Sequence, residues 1–577
     1  MSNNRNLGNI ATAITNATTG QVLTSQGSGV ATFSDAGGGV TYYANVSDLP
    51  ASGNSNGDAA FVGANNRLYI FNGAGWYSVA LLNQTPTFPT NSIQDAGGGS
   101  TPFTLSTDGT TATIITVNAT DAEGQALTYN YSVDGSLNGS TISQNNNVFT
   151  VLPHASNSTA FDLTFTASDG INTATSAAQS FTLSFAPDWS GASQQAQIQH
   201  SNADGYDSFG FSVDISNDGN NAIVGANAQD TGGTNAGSAY IFTRSGTSWS
   251  QQAQIQGSDT SQHDGFGNSV SISSDGDTAI VGANLEDTGG TSAGSAYIFT
   301  RSGSTWSQQA KIQASDTQSG DNFGVSVSIS SDGNTVVVGA RTEGTGGSAY
   351  IFTVSGTSWS QQAKIQASDA QSIDNFGVSV SISSDGSSVI VGANTEDTTA
   401  TDAGSAYIFT RSGTSWSQQA KIQASDAEAS DHFGFSVSMS DNGNYVIVGS
   451  PQEGSVAYFA GASYIFTRSG TSWSQQAKIV GSDANGGHRF GYSVGISNDG
   501  DFVISGALYA NTGGSAYVFS RSGTSWTQES KVEASNAGSG DFFGSSVAIN
   551  GSTAIVGAYD EDTTSDSSGS AYIFVSA

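Results

Sequence analysis

Acidic side chains are the residues of this sequence best suited to chemistry. They occur in adjacent groups at Glu286-Asp287, Glu396-Asp397 and Asp560-Glu561-Asp562. Hydrolysis of a glycosidic bond needs two carboxyl groups that face each other across roughly 5–10 Å. Neighbouring residues on one loop do not by themselves create that geometry, so these groups alone predict no active site.

Arginine side chains, which could bind an anionic substrate, recur at one position of a sequence repeat. They are Arg244, Arg301, Arg411, Arg468 and Arg521, with Val354 in place of arginine in the third unit. The segment Ser302-Gly-Ser-Thr-Trp306 resembles the end of the Ser-x-Asp-x-Gly-x-Thr-Trp box of sialidase-like enzymes, but the Asp is missing. Residues that recur around a ring are typical of a framework, so the sequence favours a binding protein over a glycosidase.

The charge balance excludes several classes of partner. The chain has 14 Lys and Arg against 47 Asp and Glu, a formal net charge of −33, and no lysine before Lys311. Without a basic stripe it cannot displace counterions from phosphates, so neither nucleic acid nor an anionic membrane surface is expected as a partner. No apolar run is long enough to insert into a membrane, and the N-terminus lacks the apolar segment of a signal peptide.

Metal-binding residue types are sparse. The chain has no cysteine, and its five histidines are scattered at His154, His200, His263, His432 and His488. Disulfides and thiolate sites are therefore impossible, and a histidine-rich site is not expected.

The elements that would position a site form a long sequence repeat. The motif Phe-Gly-x-Ser-Val occurs seven times at spacings of 57, 57, 53, 57, 57 and 53 residues, beginning at Phe209, Phe266, Phe323, Phe376, Phe433, Phe490 and Phe543. Six units also carry a tryptophan 17 residues before the next Phe-Gly. Length varies mainly between the Val-Gly-Ala and Gly-Ser-Ala-Tyr segments, which predicts a fixed framework with one variable loop per unit.

Each unit predicts four short strands. In the first unit they are 209–215, 222–226, 238–243 and 249–255, with Asp218-Gly219 after the first strand. Asp-Gly or Asn-Gly recurs there in every unit and predicts a two-residue type I′ turn, in which both residues have positive φ. Four antiparallel strands in each repeat of roughly 40–57 residues are typical of a β-propeller blade.

The ends of the array predict a closed ring. The seventh unit stops one strand short, at 571–577, and a strand of the missing type begins at Trp189. An unfilled position would leave unpaired backbone groups, so we expect residues 188–199 to pair with the last blade. The three extra residues Gly191-Ala192-Ser193 are expected to produce a bulge there. The predicted fold class is all-β, with a seven-bladed propeller at 187–577.

These motifs resemble FG-GAP repeats, as in integrin α-subunit propellers, and resemble the bacterial variety still more in their Tyr-x-Phe and Trp-x-Gln-Gln-Ala-Lys elements. The resemblance covers about 188–577 and implies a seven-bladed propeller used for binding. Integrin blades often hold Ca²⁺ in an Asp-rich hairpin, whose nearest match here is 214–222. The first carboxylate becomes serine in the next three units, at Ser271, Ser328 and Ser381. Too few oxygen ligands remain, so we predict no metal and no cofactor.

The N-terminal third predicts smaller β modules. Residues 1–39 are an extended attachment segment and linker with too few apolar residues for a core. A small β domain is expected at 40–83, a linker at 84–100 and a β-sandwich at 101–186. The sandwich, through 118–124 and 167–170, resembles bacterial cadherin-like or Ig-like modules, in which such acids can bind Ca²⁺ between modules. A lone module supplies only part of that site, so Asp121, Glu123 and Asp169 are expected to be turn residues.

The variable loops should carry the specificity of a binding propeller. They lie at about 227–237, 284–294, 341–347, 394–404, 450–462, 508–514 and 559–569. The candidate ligand contacts are the aromatic and charged residues that distinguish these loops, namely Arg341, Tyr458, Phe459, Tyr509, Tyr559 and Asp560. The alternative is that the tyrosines pack beneath their own loops.

The segments 18–29 and 47–77 resemble N-terminal parts of structural and fibre proteins of marine bacteriophages, cyanophages especially. This resemblance implies a virion fibre or appendage, assembled in the host cytoplasm, whose N-terminal region attaches to other virion proteins. The propeller would then bind a host-surface glycan or protein without doing chemistry. A propeller glycosidase or depolymerase and a bacterial surface adhesin are the alternatives. Phage fibres are often trimers, which makes a homotrimer one expectation.

Overall fold

The computed structural model describes residues 21–25, 31–35, 40–55, 58–62, 64, 67–71, 73–80, 84–95, 103–105, 112–122, 126–134, 137, 140–152, 161–183 and 187–577. The chain divides into two compact units, Met1–Ala186 and Pro187–Ala577. Regular structure in the described residues is almost entirely β-strand, with two 3-10 turns at Val46–Asp48 and Trp189–Gly191. No helix in these ranges is long and apolar enough to cross a membrane.

The first unit begins with a six-stranded sheet. Its strands are β1 (Gln21–Ser25), β2 (Ala31–Asp35), β3 (Val40–Tyr43), β4 (Ala59–Val62), β5 (Arg67–Phe71) and β6 (Trp76–Ala80). They pair in the order β2-β1-β3-β4-β5-β6, antiparallel except for the parallel pair β3–β4. Ala60, Val62 and Tyr69 form a small buried cluster on this sheet.

Two further sheets in the first unit share one core. The strands are β7 (Ile93–Asp95), β8 (Phe103–Leu105), β9 (Thr113–Val117), β10 (Thr128–Asp134), β11 (Thr141–Asn145), β12 (Val148–Leu152), β13 (Phe161–Ser168), β14 (Thr173–Thr175) and β15 (Gln179–Leu183). One sheet has the order β10-β13-β15-β8, with β14 beside β13, and the other β11-β12-β9-β7. Phe149 of the second sheet packs on Phe165 of the first with ring centroids 4.8 Å apart. Alternate residues of β10, β12 and β13 point into this shared core, which makes the pair of sheets a β-sandwich.

The second unit consists of seven four-stranded antiparallel sheets, the blades of a propeller. The innermost strands of blades 1 to 7 are Phe209–Ile215, Phe266–Ile272, Phe323–Ile329, Val380–Ile382, Ser436–Met439, Phe490–Ile496 and Ser546–Ile549. The second strands are Asn221–Ala226, Thr278–Ala283, Thr335–Ala340, Ser388–Ala393, Tyr445–Ser450, Phe502–Ala507 and Thr553–Ala558. The third strands are Ser238–Ser245, Ser295–Ser302, Ser348–Ser355, Ser405–Ser412, Ala462–Ser469, Ser515–Ser522 and Ser570–Val575. The outermost strands of blades 1 to 6 are Ser248–Ile255, Thr305–Ile312, Ser358–Ile365, Ser415–Ile422, Ser472–Ile479 and Ser525–Val532.

The outermost strand of blade 7 is Ser193–Ile198, which precedes blade 1 in the sequence. It pairs antiparallel with Ser570–Val575, so the predicted ring closure is present. The buried Trp189 indole donates a hydrogen bond to the Gly551 carbonyl, 2.7 Å away, and fixes the start of this strand to the seventh blade. Blade 1 then meets blade 7 through a bridge between Phe209 and Gly569.

The bulge in the closing strand has a different origin from the one predicted. The register shifts between Gln194 and Ala196, and blades 1 to 6 shift at the same repeat position. The bulge therefore belongs to the Gln-Gln pair of each unit, which is Gln528-Glu529 in blade 6, while the extra residues contribute to the Trp189–Gly191 turn. Its effect is to aim the second glutamine at the next blade, where the Gln195 side-chain oxygen accepts a hydrogen bond from the Trp249 indole at 3.0 Å.

The Asp-Gly turns also differ from the prediction of a type I′ turn. Gly219 has φ of 67°, but Asp218 does not have positive φ. The Ser216 hydroxyl donates to the Asp218 carboxylate at 2.6 Å and accepts from the Asn221 amide at 3.0 Å. The Ser216 amide also donates to the Asn221 carbonyl and the Gly219 amide to the Ser216 carbonyl, both at 2.9 Å. The side-chain bonds therefore stabilise a turn wider than a two-residue hairpin, since Asp and Ser bond readily to nearby backbone groups.

Candidate functional site: the loop end of the propeller

The variable loops all lie at one end of the ring, called here the loop face. Each loop joins the second and third strands of its blade, and the second strand ends beside the Phe-Gly motif, as Ala226 pairs with Phe209. The last glycine of a loop then bridges to the Phe-Gly motif of the next blade, as Gly237 does with Phe266. Residues from different blades are thereby placed around the same end of the propeller.

Two of the predicted contacts, Tyr509 and Tyr559, meet in one cluster. The Phe542 ring lies between them, with its centroid 5.4 Å from that of Tyr509 and 5.3 Å from that of Tyr559. Tyr559 is in turn 5.6 Å from Phe211 of blade 1. Tyr509 remains 46 % exposed, which leaves much of its ring open to a ligand.

A cation and a further aromatic pair extend this cluster on blades 5 and 6. The Arg489 guanidinium lies over the Tyr509 ring, 5.0 Å from its centroid. Tyr492 packs against Phe435 with ring centroids 4.9 Å apart, and its electrostatic neighbours are Tyr509 and Arg489. We call the resulting surface the aromatic arc; its residues are Phe211, Phe435, Arg489, Tyr492, Tyr509, Phe542 and Tyr559.

The hydroxyls of Tyr492 and Tyr559 are protonated at neutral pH. Burial raises the pKa of Tyr559 to about 12, with smaller contributions from the nearby Tyr492, Tyr509 and Asp560. Burial also raises the pKa of Tyr492, and Tyr509 adds to that shift. Both groups therefore present O–H donors rather than phenolates.

The side chains of the other predicted contacts do not join the arc, although the Arg489 amide donates to the Phe459 carbonyl at 3.1 Å. Tyr458 and Phe459 stack on each other within the blade 5 loop, with ring centroids 3.9 Å apart, and Tyr458 is 75 % exposed. Arg341 is half-buried on blade 3 and makes no side-chain hydrogen bond or ion pair within the described ranges. Asp560 is half-buried beside Tyr559, and its amide donates to the Asp541 carbonyl at 3.4 Å.

The adjacent acids of the loops are divided between two structural roles. Glu286 is buried, accepts a hydrogen bond from Ser295 at 2.6 Å and lies 3.0 Å from the Lys311 ammonium. Burial favours its neutral form, but the bonds from Ser295, Thr288 and Lys311 outweigh burial and hold its pKa below the usual value. Its neighbour Asp287 accepts the Ser292 amide within the loop at 2.8 Å. The two carboxyl groups of the pair are therefore already engaged with different parts of the loop.

The repeated arginines are likewise tied to the framework. Arg301 bonds to Asp277 at 2.6 Å and to Asn221 of blade 1 at 2.9 Å, beside the Asp-Gly turns. Arg244 donates to the Gly246 carbonyl at 2.8 Å in its own blade. These side chains hold turns and neighbouring blades together and do not converge on one point.

Among the possible Ca²⁺ ligands, Asp169 takes the turn role that was predicted, and Asp214 joins two blades. Asp169 accepts the amides of Ile171 and Asn172, both at 2.7 Å, while Glu123 lies outside the described residues. Asp214 accepts the Ile272 amide and the Ser271 hydroxyl, both at 2.9 Å. No group of three His, Cys, Asp or Glu side chains suited to a metal occurs in the described ranges.

Sequence reasoning missed the residues that connect the predicted tyrosines. A signal for them exists in the repeat itself. The residue before Phe-Gly is Ser, Gly, Asn, Asn, His, Arg and Phe in blades 1 to 7, so Arg489 and Phe542 are outliers. The residue after Phe-Gly is aromatic only at Phe211, Phe435 and Tyr492.

Comparison with known proteins identifies the repeat. The family model for the FG-GAP repeat matches seven segments, 192–242, 249–299, 306–352, 359–409, 416–466, 473–519 and 526–574. No curated protein matches the chain.

Several solved structures resemble it at low identity. A proposed 6-phosphogluconolactonase from Bacteroides uniformis has 12% identity and a TM-score of 0.39, covering 56% of this chain and 85% of its own. The propeller domain of the Trilobed protease from Pyrococcus furiosus has 12% identity and a TM-score of 0.33, with coverage of 68% and 98%. AofleA from Arthrobotrys oligospora has 13% identity and a TM-score of 0.34, with coverage of 61% and 94%.

Proposed function

Because this chain belongs to the FG-GAP repeat family, we propose that it is a noncovalent binding protein whose loop face recognises a cell surface. One observation carries the proposal. The framework of the seven blades repeats closely, while the loop-face residues differ from blade to blade and gather half-buried aromatic rings and the exposed Tyr509 on one side. A framework that repeats with one divergent face is typical of repeat proteins that bind through that face.

We further propose that the protein is carried on a bacteriophage particle as a fibre or appendage. Support comes from the resemblance of 18–29 and 47–77 to fibre and structural proteins of marine phages. The N-terminal region would contact other virion proteins, and the propeller would face the host. The excess of acids suits such an exposed role in brine, where the Debye length near 1 M salt is about 3 Å and self-repulsion is screened.

Binding is tested with the labelled full chain on bacterial cells and purified surface polysaccharides. We expect saturable binding that is lost in the double variant Tyr509→Ala/Tyr559→Ala. Tyr77→Ala is the matched control, because Tyr77 is 58 % exposed but lies in the first unit. Release of reducing sugar during the incubation would instead establish a glycosidase or depolymerase and refute purely noncovalent recognition.

The location is tested by immunogold electron microscopy with antibodies against the full chain. Label on phage particles is expected. Label confined to the surface of uninfected bacteria would contradict the virion proposal and identify an adhesin, while leaving the binding proposal intact.

A further inference from the structure

We propose that the aromatic arc is a binding site for an acidic saccharide, with Arg489 contacting the carboxylate or sulfate of the sugar. The inference rests on the proposed binding function and specifies its ligand class. Three properties of the arc lead to it: an unpaired guanidinium, unpaired hydroxyl donors and adjoining rings, of which Tyr509 is exposed and the others are half-buried.

The Arg489 side chain is unusual among the cations of the propeller. Apart from Arg341, every other lysine and arginine of 187–577 makes at least one side-chain hydrogen bond or ion pair, as Lys421 does with Glu396 and Arg521 with Asp501. Arg489 contacts the Tyr509 ring but makes no such bond in this part of the chain. The chain has 47 acidic residues against 14 basic ones, so a shortage of acids does not explain it.

A half-buried guanidinium with its donors unused is prepared for an anion. Its planar fork of N–H groups matches a carboxylate or sulfate in geometry, and hydrogen bonds to charged groups are about twice as strong as neutral ones. Stacking on Tyr509 holds the side chain in place before a ligand arrives, which lowers the entropic cost of binding.

The tyrosine hydroxyls of the arc are also free, in contrast to the framework tyrosines. Tyr240, Tyr297, Tyr350, Tyr407, Tyr464, Tyr517 and Tyr572 each donate to an Asp or Asn side chain. Tyr492, Tyr509 and Tyr559 make no side-chain hydrogen bond within 187–577. These O–H groups and the guanidinium are donors grouped around the same rings.

A saccharide is the ligand class that uses all of these groups together. A pyranose ring has apolar C–H faces that can cover an aromatic ring, and a rim of hydroxyls that accept hydrogen bonds. Tyr509 and Phe542 are nearly perpendicular, at 83°, and Phe542 and Tyr559 are inclined by 35°. Successive rings of differing tilt suit a short chain of sugars better than one flat ligand, and Arg489 at one end of the rings selects a sugar that carries an acid.

The opposite side of the loop face lacks this combination. At the position after Phe-Gly, blades 2 to 4 have Asn268, Val325 and Val378. Arg341 of blade 3 is likewise unpaired, but it has no aromatic ring against it among the described contacts. It therefore provides a matched control for charge on the same face.

The experiment is isothermal titration calorimetry of the full chain with three oligosaccharides of equal length. They are an oligogalacturonate, a sulfated oligogalactan and a neutral oligogalactan, and the first two distinguish carboxylate from sulfate. We expect an acidic oligosaccharide to bind more tightly than the neutral one. Arg489→Gln should weaken that binding about 10–100-fold, in line with the loss of a hydrogen bond to a charged group. Arg341→Gln should change it less than about twofold, and melting temperatures should show that both variants fold.

Four outcomes would overturn the inference. Equal binding of neutral and acidic sugars, or no effect of Arg489→Gln on affinity, would mean that the guanidinium does not bind the acidic group of the sugar. Failure of all three sugars to bind while the full chain still binds cells would also reject the acidic saccharide, yet leave the proposed recognition function standing. If the full chain binds neither the sugars nor the cells, both the acidic-saccharide proposal and the proposed recognition function are rejected.

Discussion

Substitution of one glycine at a joint between blades should destabilise the propeller far more than the same substitution in a loop. The joint glycine is Gly392 of blade 4, in the Val-Gly-Ala segment. A Cβ added there would lie 3.0 Å from the carbonyl carbon of Gly434 in blade 5 and closer still to its oxygen. That carbonyl accepts the Ser379 hydroxyl at 2.9 Å, and the Ser379 oxygen also lies against the added carbon.

The expected cost has two parts. Overpacking in a close-packed interior costs about 1–3 kcal/mol, and disturbing the Ser379 hydrogen bond adds about 1 kcal/mol. Gly392→Ala should therefore lower the free energy of unfolding by about 2–4 kcal/mol. With an unfolding entropy of about 2 cal/mol/K per residue over a unit of this size, the melting temperature should fall by about 2–5 °C.

The assay is differential scanning calorimetry of the full chain, with Gly454→Ala as control. Gly454 is exposed in the blade 5 loop, and nothing lies within 4 Å of an added Cβ. Its variant should melt within about 1 °C of the wild type, since surface substitutions usually change stability by less than about 0.5 kcal/mol. If the two variants melt together, the close approach of glycine to glycine is not what holds the blades at this spacing.

Three more predictions follow from individual side chains. Trp189→Ala should cost about 3–5 kcal/mol in urea unfolding, because the fully buried indole anchors the closing strand; an unchanged midpoint would contradict that role. Lys421→Met should lower the free energy of unfolding by about 2–4 kcal/mol, because buried Glu396 keeps the Ser405 hydrogen bond but loses its cation. Lys531→Met should lower it less, because its acidic partners are over 40 % exposed; equal losses would show that burial of the acid is irrelevant. Burial raises the pKa of Asp214 to about 6. Between pH 4 and 6 the carboxyl group is therefore protonated in the folded state and ionised in the unfolded state. This proton uptake stabilises the fold at low pH, and the contribution is lost as the pH rises through 6. Serine occupies this position in the next four blades. The free energy of unfolding of Asp214→Ser, relative to that of the wild type, should therefore increase by about 1–3 kcal/mol from pH 4 to pH 8. A pH-independent difference would refute the pKa shift.

The sequence predicts the framework because the framework repeats. Seven copies of Phe-Gly-x-Ser-Val and a displaced Trp-containing strand suffice to give the strands, the blade and the closure of the ring. The turn at Asp218-Gly219 was predicted wrongly because the pair alone does not reveal the Ser216 side-chain bonds that widen the loop. The hydrogen bonds of the Ser216 and Asp218 side chains determine the turn type there, and the Asp-Gly pair alone does not predict it.

The aromatic arc is harder to predict, because its residues come from four blades that are far apart in the sequence. Tyr509 and Tyr559 stand out in their own loops, but Phe542 joins them only once blades 6 and 7 are side by side. Contact between Phe211 and Tyr559 requires closure of the ring. Ring closure was predicted from the sequence. The contacts that closure creates on the loop face depend on side-chain distances, which the spacing of the repeats does not determine.

Comparison of the repeats with one another nevertheless reveals which positions interact. In blades 2 to 5 a lysine lies between a buried glutamate and an aspartate, as Lys421 does between Glu396 and Asp369. Blade 1 replaces the whole set with neutral residues, Asn202, Gln229 and Gln254.

Blade 6 loses the glutamate to Ala510 but gains Glu533 beside Lys531, at 2.9 Å. One lysine thus lies between two carboxylates in each of blades 2 to 6, although the glutamate follows a different strand in blade 6. Blade 7 is the exception, because buried Glu561 is held by neutral donors such as Asn536 at 2.8 Å and Ser570 at 2.6 Å. Positions that change together across the repeats of a single chain therefore mark side chains in contact, and the same comparison applied to the residues flanking Phe-Gly singles out Arg489 and Phe542.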